Sequence, residues 1–296
     1  MSARVLVVGD AMLDVIVQPM APVAPTSDTP ANVRLSRGGA AANVAVALAS
    51  FGLEVHYVGV IGDDPYGLLF ADDLARNGVT VQLAKTRGPT GVVVALIAPD
   101  GQRSMLTDRG VNGLLTIDAV RSALGQPFDH LHVSGYTLLD ERTRDAGTSA
   151  IALAREREMT TSVDVCSVGP LATVTAPTFL QAAIGATMLF ANEEEAMMLA
   201  GTGDVYEAAT LLARHFEEVL VTRGREGALV AQGAQLWHED SQSLDVLDTT
   251  GAGDAASGAY LAARLADAEI EPSLAQAMGA AAAVVRGFGS RGQSRL

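Results

Sequence analysis

The sequence predicts an α/β protein built around a mainly parallel sheet. Short runs rich in β-branched residues alternate along the chain with alanine- and leucine-rich segments of helical length, which is the pattern of strand–helix–strand units. Glycines directly follow two of the predicted helices, as residues at helix C-termini commonly do. The length of 296 residues suits one large α/β domain or two small ones, and we expect a single domain over 1–296.

The predicted elements follow in order from the N-terminus. The first buried strand is Arg4–Val8, because this apolar run stops at Gly9-Asp10. A helix over 40–51 ends at Gly52, a strand covers 55–60, and a helix over 66–77 ends at Gly78. Further buried strands are predicted over 130–134, 160–165, 188–191 and 219–222, with helices over 145–158 and 205–216 between them.

Two segments depart from this alternation. Residues 15–37 are polar, contain prolines and do not read as a helix. Residues 91–107 alternate on both sides of a Pro-Asp-Gly turn, which is typical of a β-hairpin. Together the two segments, over about 12–37 and 90–110, can form a small β-sheet that projects from the α/β body as a lid. Ordinary edge strands of the main sheet are the alternative, and the pattern alone does not choose between them.

Composition excludes several classes of protein. The 20 basic and 34 acidic side chains give a net charge of −14, which disfavours binding to nucleic acid. A lone cysteine, Cys166, cannot form an intrachain disulfide or a cysteine-based zinc site. The one lysine, Lys85, lies outside any Gly-Lys-Ser/Thr motif, which excludes a Walker-A loop and a protein kinase.

One stretch tests whether the chain enters a membrane. Residues 165–192 carry no charge and are numerous enough to span a bilayer. The stretch nevertheless contains prolines and glycines, which would leave unpaired backbone groups in lipid. We therefore expect strand, loop, short helix and buried strand here, in a soluble cytoplasmic protein without a signal peptide.

The strongest chemical signal is the turn Asp248-Thr-Thr-Gly-Ala-Gly-Asp254, which precedes a small-residue helix over 255–265. Free N–H groups at a helix N-terminus attract anions, and glycines allow an anion to approach them closely. Gly251, Ala252 and Gly253 can therefore hold a phosphoryl group, while Asp254 can accept the proton of a substrate hydroxyl. A dinucleotide fingerprint and a plain N-capped helix are the alternatives. The former lacks the later strand that would carry a ribose-binding acid.

Three further turns carry polar side chains. In Arg37-Gly-Gly-Ala-Ala-Ala-Asn43, the glycines allow close approach and the Asn43 amide can donate and accept, which suits a polyhydroxylated ligand or a local cap. The acids of Asn192-Glu-Glu-Glu195 either complement a helix dipole or order Mg²⁺. The turn Thr222-Arg-Gly-Arg-Glu-Gly227 is either a simple hairpin turn or a loop that contacts a nucleotide.

Taken in order, these segments resemble the ribokinase-like, or PfkB-type, carbohydrate kinases over nearly the whole chain. Val-Gly-Asp-Ala-Met-Leu-Asp14 and Gly59-Val-Ile-Gly-Asp-Asp64 join the glycine turns in carrying this resemblance. It implies a three-layer α/β/α fold with a projecting β-sheet lid. It also implies ATP- and Mg²⁺-dependent transfer of the γ-phosphoryl group to a hydroxyl of a sugar such as ribose or fructose, a monovalent-cation site of the kind that K⁺ can fill in many members, and a lid-to-lid homodimer.

The resemblance also implies roles for individual residues. Asp254 matches the general base, and Gly251, Ala252 and Gly253 match the anion hole. The predicted substrate contacts are Asp14, Gly38, Gly39, Asn43, Arg109, Asn112 and Asp164. The predicted nucleotide contacts are Asn192, Thr222, Gly224 and Gly227, with a helix over 280–285 near the adenine. Asn192 and Glu195 match the Mg²⁺ motif, and Asp248, Thr250 and Gly289 match a monovalent-cation site.

Several points stay open at this stage. Many members carry an Asp-Pro-Asn type element after the central strand, where this chain has Asp164-Val-Cys-Ser, so the role of Asp164 is in question. Arg103 and Arg109 could reach an anionic group of the substrate or pair with Asp108. Cys166 is expected to be a plain packed thiol. A nucleoside or pseudouridine kinase, and a non-catalytic ligand-binding protein on the same fold, are the alternative functions.

Overall fold

A computed structural model describes residues 2–98, 103–242 and 251–286 of the chain. Within them, the helices are α1 (Ala40–Ser50), α2 (Pro65–Arg76), α3 (Ile117–Ala123), α4 (Gly135–Leu139), α5 (Arg144–Glu156), α6 (Val168–Val174), α7 (Ala176–Ala182), α8 (Glu193–Ala200), α9 (Val205–Leu212), α10 (Ala252–Arg264) and α11 (Ile270–Arg286). Short 3₁₀ helices cover Gly110–Leu114 and Gly224–Glu226.

The strands of the described residues form two separate sheets. They are β1 (Arg4–Val8), β2 (Met12–Pro19), β3 (Ala31–Gly38), β4 (Glu54–Gly62), β5 (Val79–Thr86), β6 (Gly91–Ile97), β7 (Arg103–Asp108), β8 (His130–Ser134), β9 (Thr160–Asp164), β10 (Met188–Asn192), β11 (Glu218–Thr222), β12 (Ala228–Gln232) and β13 (Gln235–Glu239). The large sheet has the order β13-β12-β11-β10-β9-β8-β1-β4-β5, and the small sheet has the order β3-β2-β6-β7.

The large sheet confirms the predicted mainly parallel architecture. Every neighbouring pair from β11 to β5 is parallel, and the antiparallel pairs are those that β12 and β13 form at one edge. The strands over 4–8 and 130–134 have their predicted bounds, and the other predicted strands shift by two residues or fewer. Strand β5 and the β12–β13 hairpin were not predicted. The strand-like segment 244–247 lies outside the described residues.

Both faces of the large sheet are covered, which gives the expected three layers. Successive residues of β1 alternate between two apolar clusters: Leu6 and Val8 belong to one, and Val5 and Val7 belong to the other. The first cluster contains side chains of α3, α5, α7, α8 and α9, and the second contains side chains of α1, α2, α10 and α11. Because the parallel strands are buried on both faces, their sequences are continuously apolar.

The small sheet resolves the question that the sequence left open. Segments 12–37 and 91–108 form strands that pair with one another and not with the large sheet. The predicted hairpin is present, because β6 and β7 pair antiparallel from Val92↔Asp108 to Ile97↔Arg103. Its Pro-Asp-Gly turn lies outside the described residues. The edge-strand alternative is therefore wrong.

The uncharged stretch 165–192 is divided, as expected. It contains α6, α7 and β10, and a left-handed residue, Thr175 (φ +78°), separates the two helices. Across the described ranges, no helix combines the length and apolar character that a membrane span requires.

Candidate active site

Three of the predicted site residues lie at the carboxyl ends of neighbouring parallel strands. Asp164 ends β9, Asn192 ends β10 and Thr222 ends β11. The N-termini of helices α1, α8 and α10 face the same region, where loops after parallel strands commonly form ligand sites. Helix α10 begins at Ala252, three residues before its predicted start, which places Asp254 in its first turn.

Within the part of the chain that the structure describes, the N-terminus of α10 has no side-chain cap. Its N-cap residue is Gly251 (φ +74°), and no side chain of the described residues accepts a hydrogen bond there. A residue with a Cβ at position 251 would be strained in this left-handed conformation, which glycine adopts without strain. The first N–H groups of a helix have no acceptor within the helix, so this end presents donors and the positive end of the dipole.

The N-terminus of α1 also starts at a glycine, and here the need for glycine is steric. A Cβ on Gly39 (φ +90°) would lie 2.5 Å from the Asp10 carbonyl oxygen, and one on Gly38 would lie 1.9 Å from Asp14 Oδ1. The glycines therefore let the turn pack directly against the Asp14 carboxylate. Asn43, in the first turn of α1, donates from Nδ2 to Asp254 Oδ2 at 2.7 Å.

A cavity of about 160 Å³ lies between these helix N-termini. It is lined by Asp254, Gly253 and Ser257 of α10, by Asp164 and Cys166 at the end of β9, and by Ala40, Ala191, Asn192, Glu195 and Thr222. The cavity thus brings the predicted base together with the predicted Mg²⁺ motif and with two predicted nucleotide contacts, Asn192 and Thr222.

The carboxyl groups of this region destabilise one another's charged forms. Burial raises the pKa of Asp254 to about 6, although the Asn43 hydrogen bond and Arg37 oppose the shift. Burial and the neighbouring Glu195 and Asp254 hold the pKa of Asp164 well above its usual range. The pKa of Asp14 is also raised to about 6, by burial first and then by Asp254. Several carboxylates in one desolvated region favour a bound cation.

The two predicted Mg²⁺ residues form a reciprocal cap at the start of α8. Asn192 Oδ1 accepts from the Glu195 N–H at 2.9 Å, and Glu195 Oε2 accepts from the Asn192 N–H at 2.9 Å. Glu195 is only 3% exposed, and burial raises its pKa to about 7. This arrangement is a capping box, so the sequence alternative in which these acids serve the helix is also present in the structure.

The donor set around the cavity fits Mg²⁺ bound largely through water. Carboxylate and amide oxygens are the ligands that Mg²⁺ prefers, and the ion commonly keeps several waters. Among the described residues, no group of three or more His, Cys, Asp or Glu side chains is close enough to hold a metal directly. Asp164, Asn192 and Glu195 are the residues available to such an ion from the cavity wall.

The turn 222–227 connects β11 to the antiparallel strand β12, as the hairpin alternative predicted. It contains the 3₁₀ helix Gly224–Glu226. Gly224 (φ +55°) and Gly227 (φ +85°) are left-handed, and a Cβ on Gly227 would lie 1.9 Å from the Glu239 carbonyl oxygen. These glycines are therefore required by backbone geometry, and their contact with a nucleotide stays a prediction.

Asn112 does not face the cavity, which differs from its predicted contact with substrate. The side chain is 2% exposed. Its Oδ1 accepts from Ala11 N–H at 2.8 Å, while Nδ2 donates to the carbonyl oxygens of Ala11 and Arg109 at 3.0 and 2.8 Å. Through these hydrogen bonds, the Asn112 amide connects the 110–114 segment to the turn between β1 and β2, which is a structural role.

Arg109 is also engaged within the protein. Its Nη1 lies 2.8 Å from Asp10 Oδ2, and its Nε lies 3.2 Å from Asp140 Oδ2. The guanidinium lies over the Tyr136 ring at 5.4 Å from the ring centre. Of the two alternatives left open for Arg109, pairing with Asp108 is not the one seen: Arg109 pairs with Asp10 and Asp140, and Asp108 accepts from the Gly110 N–H. Two carboxylates already neutralise Arg109, which weakens its predicted role as a contact for a substrate anion.

Cys166 adopts a left-handed conformation (φ +73°) beside the cavity. Burial, and then the charge of Asp164, raise the pKa of its thiol well above the usual range. A thiol of this kind is a poor nucleophile, in agreement with the expected packed cysteine. Asp248, Thr250 and Gly289, the predicted monovalent-cation residues, lie outside the described residues.

Sequence reasoning missed two residues that reach the base indirectly. Arg37 contacts both Asn43 and Asp73, and Asn43 in turn contacts Asp254. The available signal was an arginine directly before the Gly-Gly pair of a turn that otherwise contains only small residues. No local signal marks Asp73, because it lies on an ordinary amphipathic helix.

A second cavity, of about 310 Å³, is lined in part by Gly251. The rest of its wall comes from Arg37 of β3, from α1 and the Phe51 that follows it, and from residues of α10 and α11 that include Ala255, Ala280 and Val284. The predicted location of adenine beside 280–285 stays a prediction.

Comparison with known proteins agrees with the fold. The chain matches the pfkB family of carbohydrate kinases over residues 2–295. It is 30% identical over 257 residues to an ATP-dependent ribose-1-phosphate kinase of Halopiger xanaduensis, covering 84% of this chain and 81% of the relative. It is 29% identical over 262 residues to a fructokinase of Escherichia coli, covering 86% and 82%.

Solved structures give the same result. The crystal structure of an adenosine kinase from Sinorhizobium meliloti superposes with a TM-score of 0.89 at 26% identity, covering 98% of this chain and 96% of that one. The fold of a ribokinase from Thermotoga maritima is also similar, with a TM-score of 0.80 at 22% identity over 96% of this chain and 95% of that one. The protein belongs to the pfkB family of carbohydrate kinases and is a phosphotransferase.

Proposed function

We propose that this protein transfers the γ-phosphoryl group of ATP to a hydroxyl of a small sugar, with Asp254 as the general base. The observation that carries the proposal is the contact between Asn43 and Asp254 Oδ2 at the open N-terminus of α10. It occupies one carboxylate oxygen and leaves Oδ1 for a substrate hydroxyl. With a pKa of about 6, Asp254 is mostly ionised at neutral pH and close to the optimum for a base.

The other site residues bind and orient the two substrates. Asp14 and the Gly38-Gly39 turn receive sugar hydroxyls, since the carboxylate lies directly against that turn. The N–H groups of Gly251, Ala252 and Gly253 hold the charge of the transferring phosphoryl group. Asn192, Glu195 and Asp164 would hold Mg²⁺, which when bound neutralises phosphate oxygens. Thr222, Gly224 and Gly227 would line the path of the nucleotide phosphates, and a K⁺ site would involve Asp248, Thr250 and Gly289.

A sugar fits the described site better than a nucleoside does. A nucleoside needs an apolar or aromatic wall for its base, and the chain has only 4% aromatic residues. Tyr136 lies near Asp10 and Asp254, but the Arg109 guanidinium covers its ring. The likeness to an adenosine kinase keeps a nucleoside kinase as the second candidate. A cytoplasmic location, where ATP is available, accompanies either activity.

The test is release of ADP from MgATP with a panel of pentoses, hexoses, ketodeoxy acids and nucleosides. We expect turnover with a pentose or hexose, and Asp254→Asn should lower kcat by about 10²–10⁴-fold while ATP still binds. Asp72→Asn, at an exposed carboxylate of α2, is the matched control and should leave turnover unchanged. Full turnover in Asp254→Asn would show that the base is another group. Tight binding without turnover of any compound would favour the non-catalytic alternative.

We further infer that two copies associate through the outer face of the small sheet. The register places Leu35, Val15, Val94 and Leu106 in one row across the four strands, on the face opposite to Asp14. Leu35 is 44% exposed and Leu106 is 60% exposed. A contiguous apolar face of this kind commonly marks a protein interface. The pair of substitutions Leu35→Glu and Leu106→Glu should convert a dimer into a monomer in sedimentation experiments, whereas Leu236→Glu on β13 should not.

A further inference from the structure

A buried arginine, Arg37, is connected to the predicted base, Asp254, by two successive hydrogen bonds through Asn43. Arg37 is near the end of β3, and its side chain is only 3% exposed. Its Nε donates to Asp73 Oδ2 of α2 at 2.7 Å, and its Nη1 donates to Asn43 Oδ1 of α1 at 2.9 Å. Because Asn43 donates in turn to Asp254 of α10 at 2.7 Å, one chain of hydrogen bonds links four separate elements.

The chemistry of Arg37 determines which way the Asn43 amide faces. A guanidinium has donors and no acceptor, so the Asn43 atom that contacts Arg37 must be the oxygen. The NH₂ group is then directed at Asp254 Oδ2, where a donor is needed to hold a carboxylate. Without Arg37, the amide could rotate by half a turn and present its oxygen to the base.

We propose that Arg37, held by Asp73, is a positioning residue that aligns the Asp254 carboxylate through Asn43. The proposal rests on the function proposed above, in which Asp254 is the base. Arg37 itself does not contact Asp254 in the described hydrogen bonds, and its effect passes through the amide. Asp73 fixes the guanidinium by a short, charge-assisted hydrogen bond in a largely buried setting, where such contacts are strong and directional.

Arg37 also has an electrostatic effect on the carboxyl groups around the predicted base. The acids Asp14, Asp164 and Glu195 and the groups Cys166 and Tyr136 all interact electrostatically with Asp254. Arg37 is the cation whose charge opposes the rise in pKa of both Asp14 and Asp254. The same side chain therefore orients the amide and offsets the crowding of carboxylates.

The experiment replaces the ion pair without leaving a buried charge behind. Removing one partner of a buried pair often unfolds a protein, whereas replacing both by apolar residues is commonly tolerated. The variant is therefore Arg37→Met with Asp73→Leu. The matched control is Arg264→Met with Glu218→Gln, which removes another largely buried arginine–carboxylate pair, at the far end of α10. Thermal unfolding identifies folded variants before kinetics are measured.

Kinetics use MgATP and D-ribose or D-fructose, whichever supports turnover in the panel. We expect kcat of the Arg37/Asp73 variant to fall about 10–100-fold with the KM for ATP unchanged, because misplacing a reacting group has effects of this size. The control should keep wild-type kcat. Wild-type kcat in a folded Arg37/Asp73 variant would overturn the proposal.

A double-mutant cycle separates positioning from a general structural role. If Arg37 acts through the base, its replacement should have no further effect on the residual turnover of Asp254→Asn. An additional loss of the same size in that background would overturn the proposal. The two proposals fail separately: full turnover in Asp254→Asn alone refutes the assignment of the base, whereas loss in Asp254→Asn with wild-type kcat in the Arg37/Asp73 variant refutes only the role of Arg37.

Discussion

Helices α8 and α10 begin at the same cavity, but the described residues cap the backbone N–H groups of their first turns differently. In α8, the side chains of Asn192 and Glu195 accept hydrogen bonds from the helix's own backbone. In α10, the N-cap is Gly251, and among the described residues no side-chain cap is present. The first turn of α8 is therefore satisfied by side chains of its own helix end, whereas that of α10 shows no such cap in the described ranges, as the proposed anion site requires.

The acids in the two first turns show the same contrast. Glu195 turns back to the backbone of its own helix, whereas Asp254 turns away from α10 and accepts from Asn43 of α1. A glycine N-cap stabilises a helix almost as well as a capping side chain does, to within a few tenths of a kcal/mol, so the uncapped start of α10 seen in the described residues costs little. Departures from local rules of this kind are expected at functional sites.

The largest expected effect, on kcat/KM for ATP, comes from placing a carboxylate at the N-terminus of α10 by the substitution Gly253→Asp. A Cβ on Gly253 meets nothing within 4 Å, so Gly253→Asp should fold normally, and its carboxylate should be favoured by the helix dipole. The same carboxylate would occupy the anion-binding turn. We expect kcat/KM for ATP to fall at least about 100-fold, comparable to the loss of an oxyanion donor.

Gly203→Asp, at another exposed glycine with free space around it, is the control for the added charge. It should leave kcat/KM unchanged. Near-normal ATP kinetics in Gly253→Asp would mean that the α10 terminus does not receive the phosphoryl group.

The next effect is on stability, and it depends on pH. A raised pKa means that the folded protein holds its proton more tightly than the unfolded chain. For Glu195, stability is therefore lost as the pH rises from 4.5 to about 7. Glu195→Gln keeps an oxygen for the cap without this ionisation. It should raise the free energy of unfolding by up to about 3 kcal/mol at pH 8, and by little at pH 4.

Asp254→Asn should act in the same direction with a smaller effect. The pKa of Asp254 is raised from 3.8 to about 6, but the residue is partly exposed to solvent, so the expected gain at pH 8 is about 1–2 kcal/mol. Urea denaturation in EDTA at pH 4 and pH 8 measures both variants. Destabilisation of either variant at pH 8 would contradict the assigned shift.

The smallest expected effect is on stability and tests the capping box at the N-terminus of α8. Asn192→Ala removes the side-chain acceptor of the Glu195 N–H and should cost about 1 kcal/mol of stability. Thermal unfolding without Mg²⁺ measures it, and Asn77→Ala, after the C-terminus of α2, provides an asparagine outside the cavity for comparison. If Asn192→Ala were as stable as the wild type, the hydrogen bonds between Asn192 and Glu195 would not stabilise the start of α8.

Local patterns predicted much of the fold because they depend on neighbours in sequence. The strand Arg4–Val8 is visible as an apolar run, and the glycines after α1 and α2 mark where those helices end. The β12–β13 hairpin was missed because its strands are short and β13 is partly polar. That residues 12–37 and 91–108 pair with each other was also beyond local patterns, which indicate strands and not their partners.

The candidate site shows the same limit. The glycine turns were predicted to be anion or sugar sites because the backbone freedom of glycine is a local property. Asn112 was assigned to the substrate through the family resemblance, and nothing in the sequence indicates that Ala11 and Arg109 use its amide. Arg37 and Asp73 were not recognised because their importance comes from contacts and not from their type.

The α/β class, the glycine turns and the acids that follow them can be read from the order of residues alone. The contact of Asn43 with Asp254, 211 residues away in sequence, and the contacts of Arg37 with Asn43 and Asp73 are visible only in the folded protein. The physical reason is that backbone conformation follows from nearby residues. The direction and charge of a buried polar group depend instead on partners that folding brings together from distant parts of the chain.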